Sequence, residues 1–223
     1  MKPLPGSATD QLELLNLVGF CSFEGAIAGV DEVGRGALFG PVVAAAVMLS
    51  EEASATLSSA GVTDSKLLSP ERRQALAIQI RAVAVDCRVG YAAVYEIDRF
   101  NILQASLLAM KRAVLKLKVQ PELCLVDGNQ RIPGLPFPQQ TLIKGDQRSL
   151  AIAAASIIAK VWRDELITRL AIRYPQYHLM SNKGYGTPSH RKAIQQFGPS
   201  RLHRLSFSPC QFEKEFLSEE RET

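Results

Sequence analysis

The sequence predicts a mixed α/β domain: a five-stranded sheet flanked by helices, followed by a small helical extension. Three observations carry that expectation. Short apolar runs bordered by glycine, proline or aspartate recur at 26–30, 41–49, 85–94, 122–126 and 140–143, with the lengths and borders of buried strands. Longer stretches place apolar residues at helical spacing, as Ile102, Leu103, Leu107, Met110, Val114 and Leu117 do. The order of these segments, strands first and then strands alternating with helices, is that of a mixed sheet with helices packed on it.

In chain order, residues 1–25 combine prolines and glycines with a short LELLNLV segment, which reads as a loosely docked helix. The run 26–30 then delivers two adjacent carboxylates, Asp31 and Glu32, into a turn built from Gly34, Arg35 and Gly36. Glycines there let the backbone approach a ligand closely. The apolar run 41–49 follows after a short loop and is expected to pair with the first as an antiparallel hairpin. Residues 51–61, small and polar, read as a surface excursion.

Ser69-Pro70-Glu71 has the signature of a helix start, with a capping serine, proline at the first helical position and an acid in the first turn. That helix is expected to reach about residue 84 and the next to span 97–117, closed by Pro121. The strand 122–126 stops at Asp127-Gly128-Asn129, and the strand 140–143 is closed by Lys144-Gly145-Asp146. Ser149 caps a helix expected to run to about 174, whose first turns, AIAAASIIA, are small enough to lie tight against a sheet. Beyond it, 174–223 changes composition and reads as a helical appendage with a short helix at 191–197.

At 223 residues the chain can bury a full core. Its net charge of +4, with basic residues gathered in the second half, permits a polyanionic partner without requiring one. Cys21, Cys87, Cys124 and Cys210 lie far apart with no CxxC pair, which argues against a zinc site and a disulfide framework and favours a reducing cytoplasm. No signal-type segment and no stretch of about twenty apolar residues stands out, so the chain is expected to be soluble and not to engage a membrane.

The acids that suggest chemistry are those at strand exits and on the small-residue helix: Asp31, Glu32, Asp127 and Asp164. Carboxylates gathered in one place raise each other's pKa or demand cations, and an oxygen-only donor set suits Mg²⁺ or Mn²⁺ rather than zinc. Neighbouring residues of a regular strand point to opposite faces, so Asp31 and Glu32 share a site only if the strand bends or ends by Glu32. Asp164 reads equally as half of a solvated i, i+4 pair with Lys160. Arg35, Lys66, Lys144 and Lys183 stand where phosphates could be met, and Tyr185, between two glycines, is placed to stack on a sugar or base. Each has a plainer reading: a loop lysine is usually just solvated, and Tyr185 could plug the edge of the core.

Taken together, DEVGRG (31–36), TDSK (63–66), VDG (126–128), AAASIIAKVWRD (153–164), NKGYGT (182–187) and HRLSF (203–207) resemble the bacterial ribonuclease HII family, in the family's order over 27–209. The resemblance implies an RNase H-like fold: an N-terminal extension (1–25), a catalytic core (26–174) and a C-terminal helical extension (175–223) completing the substrate site. It implies a monomeric cytoplasmic endonuclease that cuts RNA in RNA–DNA hybrids. Single ribonucleotides embedded in duplex DNA would also be nicked on their 5′ side, leaving a 3′-hydroxyl and a 5′-phosphate. Two Mg²⁺ or Mn²⁺ ions would be held by Asp31, Glu32, Asp127 and Asp164. Gly34, Arg35 and Gly36 would hold the ribonucleotide, Tyr185 would pack on the sugar, and Lys66 would meet a phosphate.

Two departures from the family's pattern stand out, Phe39 in the loop after GRG and Gln147-Arg148 after KGD. A related type, ribonuclease HIII, is expected to carry a substrate-binding domain before the first acid, here already at position 31. Outside enzymes, the alternative is a non-catalytic RNA–DNA hybrid-binding protein. A replication clamp is a candidate partner, although the tail FEKEFLSEERET shows no clear clamp-binding peptide.

Overall fold

The structure is a computed structural model that describes residues 26–63 and 65–211. The helix expected within 1–25 and the acidic tail from 212 fall outside the described residues. Five strands form one sheet: β1 (Ile27–Val33), β2 (Val42–Met48), β3 (Asp86–Ala92), β4 (Leu123–Asp127) and β5 (Gln139–Leu142), in the order β3-β2-β1-β4-β5. β1–β2 and β2–β3 are antiparallel, whereas β1–β4 and β4–β5 are parallel. The C-terminal ends of β1, β4 and β5 therefore share one edge of the sheet, the end at which parallel α/β sheets usually place their ligands.

The longer helices are α1 (Glu51–Ser59), α2 (Pro70–Val83), α3 (Val94–Val114), α4 (Leu150–Ala171) and, after a short α5 (Leu179–Asn182), α6 (Pro188–Phe197). β2 explains the layering. Its residues Val42, Ala44, Ala46 and Met48 join the cluster under α3, while Val43, Ala45 and Val47 join the one under α2 and α4. Side chains alternate faces along a strand, so a central strand covered on both sides must be apolar throughout. The small residues of α4 do what their size suggests. A Cβ on Gly29 of β1 would sit 2.1 Å from the Ala151 backbone carbon, so only glycine lets helix and strand approach this closely.

Two expectations change. Residues 51–59 are helical rather than a loop excursion: Ser50 accepts from the Ala53 amide, Glu51 and Glu52 favour the helix start, and Ala53 and Leu57 form the buried stripe at i, i+4. α3 starts earlier than its periodicity suggests and is interrupted at Asn101, whose φ of 69° lies in the left-handed region that asparagine tolerates. The Asn101 side chain then caps the restart by accepting from the Gln104 amide at 3.1 Å.

The segment after α4 packs onto the core. Tyr177, Leu179, Ala193, Ile194 and Cys210 share a cluster with Ile167 and Ala171 of α4 and with Leu38 and Phe39 of the loop after the GRG turn. Phe39, fully buried, meets the rings of Tyr174 and His203 edge-on at centroid separations of 5.4 and 5.1 Å. Among the described residues no helix is long and apolar enough to cross a membrane.

Candidate active site

A cavity of about 350 Å³ opens where β1 and β4 end, lined among others by Asp31, Glu32, Gly34, Arg35, Ser65, Lys66, Asp127, Ser156, Lys160 and Tyr185. β1 does not end at Glu32: its pairing with β2 continues through Glu32↔Ala44 and Val33↔Val43. Both acids still line one cavity because β4 pairs with β1 only as far as Val30↔Val126. Past that point β1 has an open edge, and the cleft wraps around it to reach carboxylates on either face.

Asp31 is 6% exposed and accepts from the Glu32 amide at 2.7 Å. Burial above all, then the charges of Glu32 and Asp127, push its carboxyl well above the usual carboxylate range, against the hydrogen bond from Ser156. Burial likewise raises Glu32, opposed by Arg35, whose Nη1 stands 3.3 Å from Glu32 Oε1. Asp127 is raised by burial and by the nearby charge of Asp146, against hydrogen bonds from the Gly145 and Gly128 amides, the former at 2.7 Å. Three carboxyls that resist ionisation at one spot create a demand for positive charge, and an all-oxygen donor set fits a hard divalent cation. Among the described residues no three such groups close as a ready-made metal cage, so the fit rests on donor chemistry and electrostatics.

Asp164 is not gathered with the other three. It pairs with Lys160, Nζ to Oδ1 at 3.0 Å, and lines a neighbouring cavity of about 750 Å³ that shares Lys160 and Arg73 with the first. The reason is helical geometry: Ser156 stands at the cluster, and eight residues further along α4 is about 12 Å along its axis. The i, i+4 pair that the sequence allowed is the one observed. In its place the structure brings Asp146, 7% exposed, beside Asp127, with its Oδ2 3.4 Å from Lys66 Nζ. A turn with Lys144 in the left-handed region aims the Gly145 amide at Asp127 and tucks the next side chain inward. The sequence carries a signal for it: Asp127 ends β4, Asp146 lies in the turn just after β5, and parallel neighbours end on one edge.

The remaining predicted residues surround this edge. Gly34 has φ +90°, and a Cβ there would lie 2.2 Å from Arg163 Nε. A Cβ on Gly36 would meet nothing within 4 Å, so the side chain it lacks leaves open space beside the cavity rather than room for the protein. Lys66 sits at the rim with an 80% exposed side chain. Tyr185 faces the cavity with Lys160 Nζ and Arg163 Cζ at 5.5 and 5.3 Å from its ring centre, and an antiparallel bridge ties it to Ala37. Also outside the expected set, Ser65 and Ser156 share a 2.9 Å hydrogen bond that joins the TDSK loop to α4.

Two buried arginines lie beneath the turn. Arg163 donates to the carbonyls of Pro41, Lys183 and Phe39 at 3.2, 2.9 and 2.9 Å. Arg204 donates to those of Gly34, Arg35 and Gly40 at 2.7, 2.7 and 3.0 Å. Both stood inside family-like motifs, yet nothing in the sequence says that a lone arginine will be buried.

The family model for Ribonuclease HII matches residues 28–210. A curated Ribonuclease HII from Acaryochloris marina (strain MBIC 11017) is 69% identical over 185 residues, 83% of this chain and 93% of that protein. Among solved structures, the ribonuclease H2 from Pyrococcus horikoshii OT3 superposes with a TM-score of 0.71 at 28% identity, over 83% of this chain and 95% of that one. The RNase HII of the Archaeoglobus fulgidus PCNA:RNase HII complex gives 0.69 at 29%, over 84% and 97%.

Proposed function

This chain belongs to the ribonuclease HII family, and on that premise we propose that it nicks duplex DNA on the 5′ side of single embedded ribonucleotides as well as cutting longer RNA–DNA hybrids. As a type 2 ribonuclease H it is an endonuclease acting on the RNA of RNA–DNA hybrids and dependent on a divalent metal. The observation that carries the finer reading is the juxtaposition at one sheet edge of crowded, ionisation-resistant carboxyls with an open glycine turn and an aromatic ring.

In this reading Asp31, Glu32 and Asp127, with Asp146 in the place first given to Asp164, would hold two Mg²⁺ or Mn²⁺ ions. Those ions would supply an activated water and charge stabilisation at the leaving oxygen. The residues of the chain do the rest. Gly36 leaves backbone within reach of a sugar hydroxyl, a contact that distinguishes RNA from DNA. Tyr185 offers a ring face to the ribose, Lys66 offers an ammonium to a phosphate at the rim, and the segment from 175 onward completes the substrate site. We further infer a cytoplasmic monomer. The Archaeoglobus complex with PCNA makes a clamp worth testing as a partner.

The test is a duplex carrying one ribonucleotide, assayed with Mg²⁺ and with Mn²⁺ beside an all-DNA duplex and a long hybrid. The expected result is metal-dependent nicking at the ribonucleotide that is lost in Asp31→Asn. Equal cutting of all-DNA duplex, or full activity in the variant, overturns the proposal. Binding to hybrid with no metal-dependent cleavage would support a non-catalytic binder instead.

A further inference from the structure

Resting on the reading that residues 34–36 meet the ribonucleotide, we propose that Arg204 is the positioning residue of that turn. Together with His203 it would fix the spacing between the turn and Tyr185. Arg204 is fully buried, and among the described residues it forms no ion pair. Its fork is spent on backbone oxygens, with Nη2 on Gly34, Nη1 on Arg35 and Nε on Gly40. A trans peptide is planar, with its C=O and N–H pointing in opposite directions. Drawing the carbonyls of Gly34 and Arg35 inward therefore turns the N–H groups of Arg35 and Gly36 away from the guanidinium. A Cβ on Gly36 would meet nothing within 4 Å, so the backbone of the turn is open to a ligand there. Those two amides are the donors a ribose hydroxyl or adjoining phosphate would meet.

The preceding residue ties down the other element. The Ser200 amide donates to His203 Nδ1 at 2.9 Å, so the ring proton of His203 sits on Nε2. Nε2 of His203 lies 3.1 Å from Nε2 of His190, whose Nδ1 lies 2.9 Å from the Tyr185 carbonyl oxygen. With both rings neutral, His203 donates to His190 and His190 donates to Tyr185. Between the two anchors, residues 37–39 are bridged to Tyr185 through Ala37 and to His203 through Phe39, and the Arg204 amide donates to the Leu38 carbonyl. The segment is held from the other side too, because Asp98 of α3 accepts from the amides of Leu205 and Ser206 at 3.2 and 2.9 Å. His203-Arg204 is thus a rigid strap to which both sugar-facing elements are fastened. Lysine cannot substitute for the arginine, since one ammonium nitrogen cannot span three carbonyls that the planar guanidinium meets from three nitrogens.

The test compares the full chain with Arg204→Lys and with Met110→Ala, a destabilised control in the cluster under α3. Amide hydrogen exchange at residues 37–39, whose N–H groups donate to the carbonyls of Gly34 and Gly184, should quicken at least about tenfold in Arg204→Lys. Its kcat/KM on the one-ribonucleotide duplex should fall at least about tenfold, with the Mn²⁺ concentration for half-maximal cleavage unchanged. Met110→Ala, matched in Tm, should show neither change. Unaltered exchange at 37–39 in Arg204→Lys, or equal losses in Met110→Ala, overturns the positioning role. Exchange needs no catalysis, so if the wild-type chain fails to nick the duplex the functional reading falls while the exchange result still decides the role of Arg204.

Discussion

At the sheet edge, Asp31, Glu32 and Asp127 are crowded so that burial and mutual repulsion hold their carboxyls above the usual range. Under the neighbouring turn, Arg163 and Arg204 are buried more completely, yet their donors rest on backbone carbonyls and the two histidines share one ordered chain of protons. Burial lowers the pKa of both arginines, Arg204 to about 9 with the Arg163 charge contributing. The first region is under-satisfied and gains from a cation; the second is satisfied internally and gains only rigidity. A metal-dependent nuclease needs both, because loose carboxylates misplace the metal and a loose turn misplaces the sugar.

The largest expected effect breaks the acid cluster at its unforeseen member. Asp146→Asn should lower metal-dependent cleavage roughly 100-fold or more, since even groups that only orient a metal ligand are worth 10- to 100-fold. Asp164→Asn removes an i, i+4 pair worth about 0.3–0.5 kcal/mol and should change the rate less than about threefold. Steady-state rates of the two variants on one substrate decide it. The reverse ranking would return Asp164 to the cluster and remove Asp146.

A smaller effect sharpens the contrast in stability. The folded-state pKa values of the three acids lie above their unfolded values, so the folded protein loses stability as pH rises from the unfolded towards the folded values, and the cost is complete only above the latter. Asp127→Asn should therefore raise the Tm of the metal-free protein at pH 7, by about 2–4 °C for each kcal/mol relieved. The gap should close as pH falls towards 4, and Mn²⁺ should raise the wild-type Tm more than the variant's. Calorimetry with and without metal checks each part; a lower Tm in the variant would mean that the cluster is not strained.

These contrasts mark what the sequence could and could not convey. The strands, the hairpin and the Ser69 and Ser149 helix starts follow from local chemistry, and the structure has them within a few residues. Asp31, Glu32 and Asp127 were legible because an acid beside glycine at a strand exit is a local signal. Asp146 carries a similar signal, but its place beside Asp127 depends on which strand ends coincide, and that is set by parallel pairing across a long separation. Helix α1 was missed because its buried stripe is only Ala53 and Leu57. The burial of Arg163 and Arg204 is set by carbonyls of a loop more than 120 residues away in sequence, as the bonds to Phe39 and Gly34 show, and no local pattern encodes that.

The smallest effect tests the satisfied region by protonating it. Burial, with His190 beside it, lowers His203 to about 4 from an ordinary value near 6.5. A base whose folded pKa is depressed leaves stability intact above its unfolded pKa and withdraws it as pH falls through the window from 6.5 to 4. His203⁺ would have a proton on Nδ1 where the Ser200 amide must donate, so the chain to Tyr185 breaks at its first link. His203→Asn lacks the titration, so its stability deficit against wild type should shrink by up to about 3 kcal/mol between pH 6.5 and 4. Urea unfolding of both proteins across that range measures it. A deficit independent of pH would mean that His203 already shares its proton differently in the folded state, and that the strap at 203–204 holds Tyr185 by packing alone.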